Sequence, residues 1–385
     1  MAVELYLPRH IIAGENSLIE LPNVLNRLSV TSPFILRSKS AFNNELQDRL
    51  QQKLATLMIN ATFYTMPKGE PTTIFMQECL ELIRIHGCDS VVAIGGGSTI
   101  DLAKAVSAFA VNDQLTLATI PAQNHIQRLP LIAVPTTAGT GSEATKVTVI
   151  TDHETNIKSN PGHIDLIPDY VILDPLLTLN VPLKITMYTA LDALAHAIEA
   201  YVSTKATDLT DFYARQAIEL ITRNIHSVYE QPNNVAMRNN LLMGSFYAGV
   251  AFSNASTNLA HATGRSLGTN FSLPHGLSVA LLHPFVVDFS FESCRERYAQ
   301  IAEIIGLQGG EKISDYLHQL NEDFSIWQDA HHIADQAYIQ VVDQLTQQAL
   351  NGNGILTNRQ VPNEQEVKQV FHQLYDKLQQ FKVLN

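Results

Sequence analysis

Hydrophobic positions over the first 180 or so residues fall into two alternating patterns. Short apolar, β-branched runs bounded by turn residues predict buried strands at Pro33–Arg37, Thr62–Thr65, Ser90–Ile94, Leu131–Val134 and Tyr170–Leu173. Between them, apolar residues recur at helical spacing in Asn43–Leu57, Thr73–His86 and Thr99–Phe109. Strands alternating with helices predict a largely parallel sheet, because parallel neighbours need a crossover and fully apolar runs need cover on both faces. Ligands of such sheets bind beyond the carboxyl ends of the strands. From about Val181 the strand pattern stops. Long helices are predicted at Thr189–Ser203, Thr210–Asn224, Ala236–Ser256 and Ser290–Gly306. The tail from Glu311 to Asn385 is Gln-rich and mostly helical, broken at GNGILTNRQVPNEQ, with a capped terminal helix at Asn363–Leu374. The expected architecture is an α/β domain with a mainly parallel sheet over residues 1–181, followed by an all-α domain over residues 182–385.

Length agrees with two domains, since 385 residues exceed one ordinary core. With 45% hydrophobic and 16% charged residues, the chain is neither disordered nor fibrous. Its formal charge of −12 argues against a nucleic-acid partner, which needs clustered Lys and Arg, but leaves room for a small anion held by local charges. Cys79, Cys88 and Cys294 form no CxxC pair and fit a reducing compartment. The segment MAVELYLPRHIIAGEN has Glu4 and Arg9 in its apolar stretch and no basic start, so it does not read as a secretory signal. No run approaches the ~20 apolar residues of a membrane span. The expectation is a soluble, cytoplasmic protein without a membrane partner.

Candidate chemistry begins at SVVAIGGGSTIDLAKAV. A buried strand runs into Gly95, Gly96 and Gly97, and a helix follows. Glycines let the backbone approach a ligand, while the helix start offers free N–H groups and partial positive charge to an anion. Ser98 is placed to cap the helix or bond a phosphate oxygen. The plain alternative is a tight strand-to-helix turn, and the spacing is not the GxGxxG fingerprint. A second loop, PTTAGTGSEAT, sets Thr136, Thr137, Thr140 and Ser142 around Gly139 and Gly141. Its bland explanation is a cluster of hydroxyl-bonded turns. Two such loops in one α/β domain favour a nucleotide.

In the second half, DALAHAIEA places Asp192 and His196 at i and i+4 on one helical face. Such a pair is commonly an ordinary hydrogen bond. LAHATGRSLGTNFSLPHG adds His261 and His275, and one carboxylate with three imidazoles suits Fe²⁺ or Zn²⁺. His283 reads as a pocket-wall or structural histidine.

These pieces resemble the iron-containing (group III) alcohol dehydrogenase family. GGGSTIDLAKAV, PTTAGTGSEAT, VITDHETNIKS, LDALAHAIEAYVS, AGVAFSNAS and LAH(x13)HGLSVALLHP occur in the family's order, and ILTNRQVPNEQEV extends the likeness towards the end. The resemblance implies a dehydroquinate synthase-like fold, whose N-terminal domain binds a dinucleotide, and NAD(P)-linked oxidation of alcohols or reduction of aldehydes. It also implies a homodimer. Carried over by motif, Asp192, His196, His261 and His275 are implied metal ligands. Gly96, Gly97 and Ser98 are implied pyrophosphate contacts, and Asp101 lies at the nicotinamide end. Thr136, Thr137 and Thr140 form the second cofactor loop, Lys158 lies near the ribose, and Phe252 faces the substrate. A divalent ion acts in such chemistry as a Lewis acid, while the nicotinamide supplies the hydride chemistry.

Departures from that pattern are informative. Arg265 stands where many members carry a second histidine; a guanidinium cannot serve as a general base but can fork onto a carboxylate or phosphonate. This points to a substrate with an anionic tail; the alternative is an internal ion pair. Asn258 replaces a common glycine. Ser38, between Arg37 and Lys39, stands where NAD-preferring members carry an acid, which tilts the expectation towards NADP(H). A dehydroquinate synthase-like lyase and a metal-free reductase of the maleylacetate type share the fold. The intact quartet argues against both.

Overall fold

The computed structural model describes residues 3–39 and 44–383. The described residues form two compact units: one from Tyr6–Val181 with Asn233–Phe246, the other from Pro182–Pro232 with residues 3–5 and 247–383.

The first unit is built on strands β1 (His10–Ala13), β2 (Pro33–Ser38), β3 (Thr62–Met66), β4 (Ser90–Gly95), β5 (Leu131–Pro135), a small pair β6 (Ile150–Thr151) and β7 (Lys158–Ser159), and β8 (Tyr170–Leu173). Six of them make one sheet in the order β1-β8-β5-β4-β2-β3, with every neighbouring pair parallel. Its helices are α1 (Leu21–Arg27), α2 (Asn44–Thr56), α3 (Thr73–His86) and α4 (Gly97–Phe109). The central strands β4 and β5 are buried along their whole length, which explains their unbroken apolar runs. One face packs Leu21, Leu25, Leu50 and Leu54 on Ile35, Val92 and Ile132; the other packs Met76, Cys79, Ile100 and Val106 on Phe34, Val91 and Ala93. The α3 boundaries are local chemistry. Thr72 Oγ1 accepts from Phe75 N at the start, and Gly87 takes the left-handed turn (φ 60) that ends it.

The predicted strands match β2, β3, β4, β5 and β8 to within a residue at either end, and α2–α4 match to within two. Asn43, the predicted first residue of α2, lies outside the described residues. The sequence pattern missed β1. It is an edge strand, mostly exposed, so it has no continuous apolar run to find.

The second unit is helical: α5 (Leu183–Val202), α6 (Asp208–Glu230), α7 (Val235–Ala255, whose first part belongs to the first unit), α8 (Leu259–Phe271), α9 (His275–Ser290), α10 (Arg295–Ile305), α11 (Lys312–Asp323), α12 (Ile326–Ala330), α13 (Gln336–Leu350) and α14 (Glu364–Val383). The single helix expected over Ser290–Gly306 is corrected: α9 ends at Ser290, a short turn follows, and α10 leaves at 77°. The bend lets Tyr298, Ile301 and Ala302 of α10 bury against the unit's core. Helix α9 itself is buried from Gly276 to Val287, so its apolar residues show no helical stripe. Among the described residues no single helix is long and apolar enough to cross a membrane.

Candidate metal centre and nucleotide loops

Three helices of the second unit bring one carboxylate and several imidazoles together. Helix α5 carries Asp192 and, one turn on, His196. Helix α8 contributes His261 from its first turn, and α9 begins with His275 directly after Pro274. Asp192 Oδ1 lies 3.5 Å from His261 Nε2 and 3.7 Å from His275 Nε2. The donor atoms of these three residues all fall within 4.8 Å of one another. His196 is buried beside them, its ring stacked between those of Phe252 and His261, each 4.1 Å away. Close helix packing makes this possible. A Cβ on Gly276 would come within 2.3 Å of the Tyr188 carbonyl oxygen, so only glycine lets the first turn of α9 reach α5.

The donor set fits a divalent cation. Asp192 Oδ1 and His261 Nε2 are both buried, and neither has a hydrogen bond; an unmet buried polar atom costs about 1–3 kcal/mol. Burial opposes ionisation of Asp192, but His196, His275 and His261 outweigh it and hold the carboxyl well below its usual range. Among the described residues no Lys or Arg forms an ion pair with Asp192.

Glu199, one residue that motif reading passed over, organises this cluster. It is buried and sits seven residues after Asp192, on the same face of α5. Its carboxylate accepts from Asn258 N (2.9 Å) and Ala260 N (2.6 Å), and from His261 Nδ1 (2.6 Å). Asn258 also donates its side-chain amide to the Glu199 carbonyl at 2.9 Å. A carboxylate only accepts, so Nδ1 of His261 donates to Glu199, and Nε2 is the ring atom that faces Asp192. Burial pulls the His261 pKa down; Glu199 and Asp192 overcome it and raise it to about 9. His283 is buried as well and is pushed down to about 4 by burial, so it stays neutral.

Arg265 follows His261 by one turn of α8 and is half-buried. Burial lowers its pKa and the Glu199 carboxylate partly offsets this, yet the guanidinium makes no ion pair or hydrogen bond among the described residues. Phe252 is half-buried against His196.

In the first unit, Ser38, Gly95 and Pro135 end the neighbouring strands β2, β4 and β5 along one edge of the sheet. Helix α4 starts immediately after Gly96 with no side-chain cap, leaving its first N–H groups for an anion. Gly96, Gly97 and Ser98 are half-buried there. The second loop lies against the first. A Cβ on Gly97 would sit 2.8 Å from Thr140 Oγ1, and one on Gly96 3.3 Å from Thr137 Oγ1. Part of the glycine requirement therefore comes from the facing threonines. Thr136 is buried, and its N–H donates to Gly95 O. Asp101 is engaged internally: its carboxylate accepts from Ser142 Oγ and from Val149 N. Ser38 Oγ is buried without a hydrogen bond, and Lys39 is exposed. Lys158 is not brought to the loops' core; it lies exposed on β7, paired with Glu70.

Comparison with known proteins agrees in sequence and in fold. Residues 8–175 match the iron-containing alcohol dehydrogenase family, and residues 186–375 match the Fe-containing alcohol dehydrogenase family, C-terminal. The probable alcohol dehydrogenase EutG of Escherichia coli (strain K12) is 42% identical over 66% of this chain, and the match spans 65% of that protein's length, just under two thirds. The NADPH-dependent butanol dehydrogenase of Clostridium saccharobutylicum is 32% identical over 96% of this chain and 97% of its own. A crystal structure of 1,3-propanediol oxidoreductase superposes with a TM-score of 0.91 at 28% identity, covering 97% of this chain and 100% of that one. With matches along nearly its whole length and the same parallel-sheet and helical architecture, the chain belongs to the iron-containing alcohol dehydrogenase family.

Proposed function

We propose that this chain transfers hydride between NAD(P)(H) and a small alcohol or aldehyde, with one divalent ion, Fe²⁺ or Zn²⁺, held by Asp192, His196, His261 and His275. The observation that carries this is the pair of buried, unmet atoms, Asp192 Oδ1 and His261 Nε2, with His275 Nε2 beside them. Bound there, the ion supplies Lewis acidity at the reacting oxygen.

The chain's own residues do the rest. Glu199 fixes His261 so that one nitrogen faces the donor cluster. Gly96, Gly97 and Ser98 offer backbone N–H groups to a pyrophosphate, and Thr136, Thr137 and Thr140 offer hydroxyls from the facing loop. Asp101 acts through Ser142 and Val149, and Lys158 gives a peripheral cation. Ser38 lacks the charge that would repel a 2′-phosphate, which supports use of NADPH; the butanol dehydrogenase relative is NADPH-dependent by name. Arg265, a half-buried guanidinium one turn beyond His261, supports an aldehyde or alcohol with a carboxylate or phosphonate tail. Phe252 then forms an apolar wall against His196. A cytoplasmic homodimer is the assembly we favour.

The test is metal analysis of the purified protein, with NADH and NADPH fluorescence titrations and a screen of neutral and anionic-tailed aldehydes and alcohols. Full turnover after complete metal removal would overturn the metal role, and no binding of either nucleotide would overturn the cofactor role.

A further inference from the structure

Behind the two loops of the first unit, Lys104 is 0% exposed, an unusual place for an ammonium group. Its three donors are all used: Nζ donates to Ser142 Oγ (3.1 Å), Thr145 Oγ1 (2.8 Å) and Val147 O (2.7 Å). Asp101 Oδ1, one turn back on α4, lies 3.6 Å away. Asp101 grips the same stretch, taking hydrogen bonds from Ser142 Oγ and Val149 N on its carboxylate and from Thr148 Oγ1 on its carbonyl. Thus one turn of α4 holds residues 142–149. The preceding part of that loop carries Thr137 and Thr140, which lie against Gly96 and Gly97 at the start of α4. The helix that opens the glycine turn therefore also anchors the loop facing it.

Lys104 is fully enclosed and its three donors all bond residues 142–147, so its effect passes through the loop. We propose that Lys104 is a positioning residue for the dinucleotide. By tying residues 142–147 to α4 it sets the Thr136, Thr137 and Thr140 hydroxyls opposite the helix start. This rests on the dinucleotide reading above. Methionine at this position keeps the aliphatic stem and removes all three donors, whereas Thr145→Val removes a single acceptor.

The experiment measures NADH and NADPH affinity, metal content and segment-resolved amide exchange for wild type, Lys104→Met and Thr145→Val. Loss of charge-assisted hydrogen bonds predicts a rise in Kd of about tenfold or more for Lys104→Met and about threefold for Thr145→Val. Metal content should stay unchanged, and faster exchange should be confined to residues 136–149. No nucleotide binding by wild type would retire the dinucleotide reading, and this inference with it. Wild-type binding with both variants within about twofold of it, or exchange that quickens equally through residues 183–271, would overturn the positioning role alone. If Lys104→Met does not fold, Thr145→Val decides by the same measurements.

Discussion

In the α/β unit, Asp101 and Glu143 are buried together with Lys104; in the helical unit, Asp192 and Glu199 are buried together with His196, His261 and His283. The first cluster contains its own cation, and that cation has a partner for every donor. Its one unmet atom is Glu143 Oε1, on a carboxyl that burial pushes up to about 7. Such a group lowers its cost by taking up a proton. The second cluster has no lysine, and Asp192 is held in its ionised form with an unmet oxygen facing an unmet imidazole nitrogen. Its countercharge comes from the neighbouring imidazoles, and a buried charge is expensive unless it is also hydrogen-bonded. The contrast separates a closed network, which holds backbone in place, from an open one that a divalent cation completes.

The largest test of that contrast is His261→Ala. Losing a ligand at the open cluster should abolish metal retention and lower turnover by about a thousandfold or more, the scale of several kcal/mol of Lewis-acid stabilisation. NADH affinity should be unchanged, because the loops proposed to hold it lie in the other unit. A stability measurement sharpens the point. At about 100 times its Kd, the added metal should stabilise metal-free wild type by roughly 2.7 kcal/mol, and His261→Ala not at all.

Glu199→Gln comes next. The amide can still accept from Ala260 N, but it orients His261 less strongly. Metal affinity should fall about 10–100-fold, the usual cost of losing a partner behind a metal-binding histidine. The check is competition with a chromophoric chelator. Affinity equal to wild type would mean that Glu199 only pins the start of α8.

How much of this could be read from the chain differs between the two clusters for a physical reason. Four imidazole or carboxylate positions stood out because they fall in recognisable motifs, although α8 and α9, which carry two of them, were not predicted as helices. Glycine, serine and an all-round apolar face hid their periodicity. Glu199 was passed over since a lone glutamate in a helix normally faces water. Its signal was the spacing Asp192, His196, Glu199 at i, i+4 and i+7, which puts all three on one face. In the α/β unit the strands were legible from their apolar runs. The glycine turn was legible as a close approach, but whether a ligand or the facing threonines required it depended on residues forty positions away. Lys104 was invisible for the same reason: nothing local distinguishes it from a solvated helix lysine.

Arg265→Met probes a charge at the open cluster that is only half-buried. If the guanidinium holds an anionic tail, kcat/KM for an ω-carboxylated aldehyde should drop about tenfold or more while that for its neutral analogue changes little, as expected from one charge-assisted hydrogen bond. Equal losses for both substrates, or none for either, would leave a small neutral alcohol as the substrate class. Metal content should not change, because Arg265 is not among the donor atoms.

The smallest effect belongs to Ser38→Asp, at the carboxyl end of β2, where Ser38 is half-buried and the next residue is exposed. Ser38 closes β2 next to Gly95, its Oγ has no hydrogen bond, and Lys39 beyond it is exposed. A carboxylate introduced here would repel a 2′-phosphate and accept from ribose hydroxyls. Exposed charge interactions are screened and amount to about 0.2–1 kcal/mol, so the ratio of NADPH to NADH specificity should fall by up to about fivefold. The shift should shrink as salt is raised, whereas the losses from Glu199→Gln, inside the protein, should not. A wild-type preference for NADH that this substitution leaves untouched would place the adenosine end elsewhere on the sheet. A shift far above fivefold that ignores salt would mean that Ser38 is enclosed once nucleotide binds, bringing the edge of the α/β unit closer to the buried regime of the metal cluster.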